Sequence, residues 1–112
     1  MDKMIKYQNI IEEIFRKRAS SPISNAPEAK GHLIIDKENH EYVLLWVGWS
    51  GSSYKHGLMY HVEIKEGKVW IHEDRTDSNL AEILMKEGIP KSDIVLGFVA
   101  PYARGLSGFA AA

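Results

Sequence analysis

The chain has 112 residues, 45% hydrophobic and 26% charged, a composition that fits one folded domain over residues 1–112 and leaves no room for a second core. Its formal net charge is −1, which argues against autonomous DNA binding, because a protein that grips nucleic acid alone presents surplus positive charge to phosphates. It contains no cysteine, which excludes disulfides, zinc thiolate sites and cysteine nucleophiles.

Lys3 to Lys17 carries helical periodicity. Met4, Tyr7, Ile11 and Ile14 recur at spacings of three and four, and Ile10 and Phe15 widen the stripe. Asp2 suits the N-cap, and Arg16, Lys17 and Arg18 suit the negative end of the helix dipole. Ser20 to Glu28 is a polar loop with two prolines.

Strands follow. His32 to Ile35 is short and apolar, and Asp36 to His40 is a polar turn. Glu41 to Trp49 is the strongest strand pattern. Tyr42, Leu44 and Trp46 point one way; Val43, Leu45, Val47 and Trp49 point the other. Both faces are apolar, which predicts a central strand covered on both sides. Ser50 to Ser53 turns around Gly51, Tyr54 to Ile64 forms the next strand, and Lys68 to Glu73 returns after Lys65-Glu66-Gly67. Connections this short predict an antiparallel meander. Further on, Thr76, Asp77 and Ser78 offer N-caps for a helix with Leu80, Ile83 and Leu84 on one face, stopped by Gly88-Ile89-Pro90. Pro90 to Asp93 suits a single turn, and Ile94 to Phe98 a buried strand. After Pro101 the chain reads as irregular. The expected class is therefore α+β: an antiparallel meander packed against an N-terminal helix and a second helix in the C-terminal half.

No apolar run reaches the ~20 residues that span a bilayer, and MDKMIKYQNI does not read as a signal peptide. The expected location is cytoplasmic.

The histidines are the first candidates for chemistry. With Glu66-Gly67 as a two-residue turn, Glu63 faces Trp70 and His61 faces His72. Tyr60, Val62, Ile64, Val69 and Ile71 then form a core face. A three-residue loop is the alternative, and places His61 opposite Ile71; the first register sorts apolar residues more cleanly. His61, Glu63 and His72 on one face have the donor types of a divalent-metal site, and a small metal-dependent enzyme is the reading they would support. Cross-strand polar pairs on a solvated or partner-facing surface explain them more simply. His56 lacks a neighbouring serine, carboxylate or second base in the sequence. Gly48, Gly51 and Gly57 match no phosphate-binding spacing. Trp46, Trp49 and Trp70 suit core or interface better than base stacking. The last twelve residues, PYARGLSGFAAA, are more apolar than a frayed end: Tyr102, Leu106 and Phe109 either pack back on the domain or dock on another chain. No catalytic, cofactor or metal residue is assigned. The expected interface residues are Trp49, His61, Trp70, His72, Tyr102, Arg104 and Phe109.

Several segments in order resemble the XisI family, the excision controlling factors described for a DNA element of heterocyst-forming cyanobacteria. The family's KYxxII-type helix matches Lys6 to Ile11, its LLxVGWxG segment matches Leu44 to Gly51, and a histidine-glycine step matches His56-Gly57. Its IHxDIKDGKIWI segment matches MYHVEIKEGKVWI, Met59 to Ile71. GVPKEDIVLAF matches Gly88 to Phe98, and PPYKR…TGFAVA matches APYARGLSGFAAA. Ala100, Ala103 and Tyr54 depart from the pattern, the last two at basic positions, which weakens any phosphate-binding role. The resemblance implies a non-catalytic regulatory protein with no cofactor, acting through a XisH-like partner in control of DNA-element excision. A DNA-binding accessory factor is the alternative. A homodimer through the tail or the exposed hairpin face is a further expectation.

Overall fold

The computed structural model describes residues 2–21, 27–76 and 78–111. Much of the expected Ser20–Glu28 loop and one expected cap, Asp77, lie outside them. Helix α1 spans Lys3–Ala19, starting where the Asp2 carboxylate accepts from the Met4 N–H at 3.0 Å and ending on Arg16, Lys17 and Arg18. Strands β1 (Lys30–Asp36), β2 (Glu41–Ser50), β3 (Ser53–Lys65) and β4 (Lys68–Asp74) form an antiparallel meander in chain order. Helix α2 (Leu80–Lys86) then crosses to β5 (Ile94–Leu96).

The meander holds for four strands only. β5 lies parallel to β4, pairing Val69 with Ile94 and Ile71 with Leu96, so the sheet is mixed. The connection from β4 to β5 carries α2, which gives it the length a parallel crossover needs. The cap of α2 is Asn79, whose side chain accepts from the Glu82 N–H. Thr76 and Ser78 instead bond each other within the preceding loop. After β5, residues Pro101–Leu106 form a 3-10 helix where an irregular tail was expected. Ala110 then bridges Val95 on the outer side of β5.

Both helices cover the same face. Tyr7, Ile11 and Phe15 of α1 and Leu80, Ala81 and Leu84 of α2 share one core with Tyr42, Leu44, Tyr60, Val62, Val69 and Ile71. Phe15 stacks on Tyr60 with ring centroids 5.1 Å apart. Burying each such side chain contributes roughly 1.5–3 kcal/mol. Gly31 lets α1 come close: a Cβ there would lie 2.6 Å from the Ala19 Cα. On the same side, the Tyr7 hydroxyl donates to Asp93, and Lys3 Nζ lies 3.2 Å from the same carboxylate. Burial pushes the Tyr7 phenol upward, and the bond to Asp93 adds to that. Burial also pushes the Asp93 carboxyl upward, but the hydrogen bonds from Tyr7 and Lys3 outweigh it and hold the group below the usual carboxylate range. This trio ties the start of α1 to the turn before β5.

The expectation that β2 is covered on both sides does not hold. Tyr42, Leu44 and Trp46 are buried, whereas Val43, Leu45 and Val47 are only half-buried and Trp49 is 62% exposed. The physical reason is the count of covering elements: α1 and α2 both join the core on one face.

Candidate interaction face

The uncovered face is built by the strand period and corrected by two bulges. Across β1, β2 and β3 it aligns Ile34 with Val43 and His61, and His32 with Leu45 and Leu58. Lys30, Val47 and His56 form the next row, and Trp49 faces Tyr54 across the Gly51 turn. The register slips between Leu44 and Leu45, leaving Met59 as the extra residue of β3. Met59 and Tyr60 are both buried as a result, and the residues before them keep their places on the open face. A bulge thus prevents the face inversion that a one-residue slip would impose.

The Glu66-Gly67 turn is the two-residue one. Lys65 pairs with Lys68, Ile64 with Val69 and Glu63 with Trp70. Both turn residues have positive φ, 55° and 76°, the backbone of a type I′ hairpin. The expected pairing of His61 with His72 is corrected: His61 pairs with Glu73, and His72 is the extra residue of a second bulge. The two rings nevertheless sit 4.9 Å apart on the open face. His61 Nε2 lies 2.9 Å from Glu41 Oε1, and His72 Nε2 lies 2.8 Å from Glu63 Oε1. Each imidazole therefore has its own carboxylate. Among the described residues no group of three or more metal-ligating side chains is placed to hold an ion.

The face has two ends of different character. At one end Trp49 and Tyr54 stand 62% and 52% exposed with rings 5.2 Å apart, continuous with Val47, Leu45, Leu58, Val43 and the exposed Ile34. At the other end the His–Glu pairs meet Trp70. Trp70 is buried, with Lys65 Nζ 4.5 Å and the Arg104 guanidinium 5.1 Å from its ring. Arg104 is fixed by donating to the carbonyls of Val99 at 2.9 Å and Gly97 at 3.2 Å. The tail thus folds its 3-10 helix over the β4–β5 end.

The expected interface residues divide accordingly. Trp49, His61 and His72 share the open face. Trp70 and Arg104 meet at its edge as a packed pair. Phe109 packs against the core under Lys91, 5.0 Å from its ring. Tyr102 projects outward, 91% exposed, as does Leu106. The sequence reading missed Ile34, Val43, Leu45, Val47, Tyr54 and Leu58 as surface residues. The signal was present in the apolar second face of β2, with too few helices to cover it. Trp46, considered for base stacking, is buried in the core.

No helix among the described residues is long and apolar enough to cross a membrane. No curated protein matches the chain. Solved structures do, among them the following two. A XisI-like protein from Anabaena variabilis is 36% identical, with 97% of this chain and 99% of that chain covered at a TM-score of 0.86. The fdxN element excision controlling factor XisI from the same organism is also 36% identical, with 99% and 100% covered at a TM-score of 0.78. The family model for XisI protein matches residues 1–111. The chain belongs to the XisI family.

Proposed function

We propose that this chain is a regulatory protein without catalytic activity of its own, and that it acts by docking a XisH-like protein on the open face of its sheet in control of DNA-element excision. The observation that carries this reading is the uncovered apolar row from Ile34 through Val43, Leu45, Leu58 and Val47 to Trp49 and Tyr54. Contiguous apolar surface that is exposed at its ends and half-buried between them marks interaction sites, and its aromatic end has the composition of binding hot spots. The excision controlling factor named among the solved structures supports the process. The net charge of −1 favours a protein partner over a direct DNA contact.

Co-expression with the XisH-like protein of the same genome tests this. A stoichiometric complex that survives size-exclusion chromatography is the expected result. Two proteins that elute separately, together with salt-sensitive duplex binding by this chain alone, would replace the reading with that of a DNA-binding accessory factor.

A further inference from the structure

β1 ends the sheet. Its one neighbour is β2, and among the described residues no β1 backbone group joins a backbone hydrogen bond outside that ladder. In an antiparallel strand, alternate residues turn both backbone groups away from the neighbour. Among the described residues β1 therefore offers a row of unpaired donors and acceptors. Natural edges are blunted by proline, bulges or inward-pointing charge. β1 has no proline, its register with β2 is unbroken, and its only residues of fixed charge are the terminal ones, Lys30 and Asp36. Ile34 stands 51% exposed beside this edge.

The residue order of β1 is complementary to itself. Laid antiparallel to a second copy with Leu33 opposite Leu33, Lys30 meets Asp36 at both ends. His32 meets Ile34, and Gly31 meets Ile35. Each of these pairs joins residues of the same face, as side-chain alternation requires. Asp36 also accepts from the Glu38 and Asn39 backbone N–H groups and the Asn39 side chain within its own turn, which holds its charge in place at the end of β1.

We infer that two copies of this chain pair through β1, antiparallel and centred on Leu33, joining two five-stranded sheets into one continuous sheet. The two-fold axis stands perpendicular to the sheet. It keeps all helices on one side and sets the two open faces side by side on the other. The pairing needs no partner protein, so it stands or falls separately from the docking reading above.

Sedimentation velocity of the full chain over a concentration series tests the pairing. The expected species has twice the mass of the chain. Lys30→Glu and Asp36→Lys, each alone, put like charges opposite one another twice and weaken association at least about ten-fold. An equimolar mixture of the two variants restores it, because each altered residue then meets the opposite charge. Asp36 also organises its own turn, so a second readout is independent of it. The chain has no cysteine; a mixture of His32→Cys and Ile34→Cys chains cross-links on oxidation, since opposed Cβ atoms lie within disulfide reach. A monomer at every concentration overturns the inference. So does a charge mixture no tighter than its components, or cross-linking equally efficient with His32→Cys alone.

Discussion

Along β2, neighbouring residues of similar chemistry end in opposite situations. Tyr42, Leu44 and Trp46 are buried in the core shared with both helices; Val43, Leu45 and Val47, interleaved with them, are outside that core and only half-buried. The first set supplies stability. The second gains little from folding alone, so its apolar character points to a surface used in assembly. The lesson is that a strand apolar on both faces signals two covered faces only when the chain has enough other elements to cover them.

The comparison breaks first on the covered side. Phe15→Ala removes a fully buried ring stacked on Tyr60 and is expected to cost about 3–5 kcal/mol in urea unfolding. A loss no larger than that of a surface substitution would mean α1 is not held by this core. Gly31→Ala tests the close approach of α1 to β1. Its added methyl meets Ala19 backbone atoms, and overpacking of that kind costs roughly 1–3 kcal/mol. Unchanged stability would show that the helix can move aside cheaply.

Those two residues also show what was legible in the sequence. The α1 stripe could be read because helical period and cap residues are local signals, and Phe15 fell on it. Gly31 could not, because its role depends on a helix arriving from another segment. The same distinction governs the site. Glu66-Gly67 leaves two hairpin registers open, and the cleaner sorting of apolar residues favours the two-residue turn that the structure has. The bulges at Met59 and His72 left no local mark, and they decide which side chains join the open face. The parallel placement of β5 was hidden for a similar reason: three apolar residues carry no direction.

A smaller effect sharpens the contrast through pH. Asp93→Asn removes a carboxylate whose bonds to Tyr7 and Lys3 hold it ionised. Because its folded-state pKa is depressed, its contribution is present above the ordinary carboxylate range and is lost as pH falls through the folded value. The variant should lose on the order of 1–2 kcal/mol near neutrality and show a flatter acid limb in a stability–pH profile. Parallel profiles for the two proteins would remove Asp93 from the account.

The smallest expected stability change belongs to the open face. Trp49→Ala combined with Tyr54→Ala should shift unfolding by less than about 0.5 kcal/mol per site, because both side chains are more than half exposed. A large loss would make this aromatic pair a structural element.

The same double variant gives the most direct test of the claim that the open face serves assembly. Calorimetric titration against the XisH-like protein would compare it with the unaltered chain and with Arg16→Glu, on the exposed side of α1. The account predicts at least ten-fold weaker binding for the face variant, as expected for hot-spot aromatics, and unchanged binding for the helix variant. Equal affinity for the unaltered chain and the face variant, or a loss confined to Arg16→Glu, would contradict it.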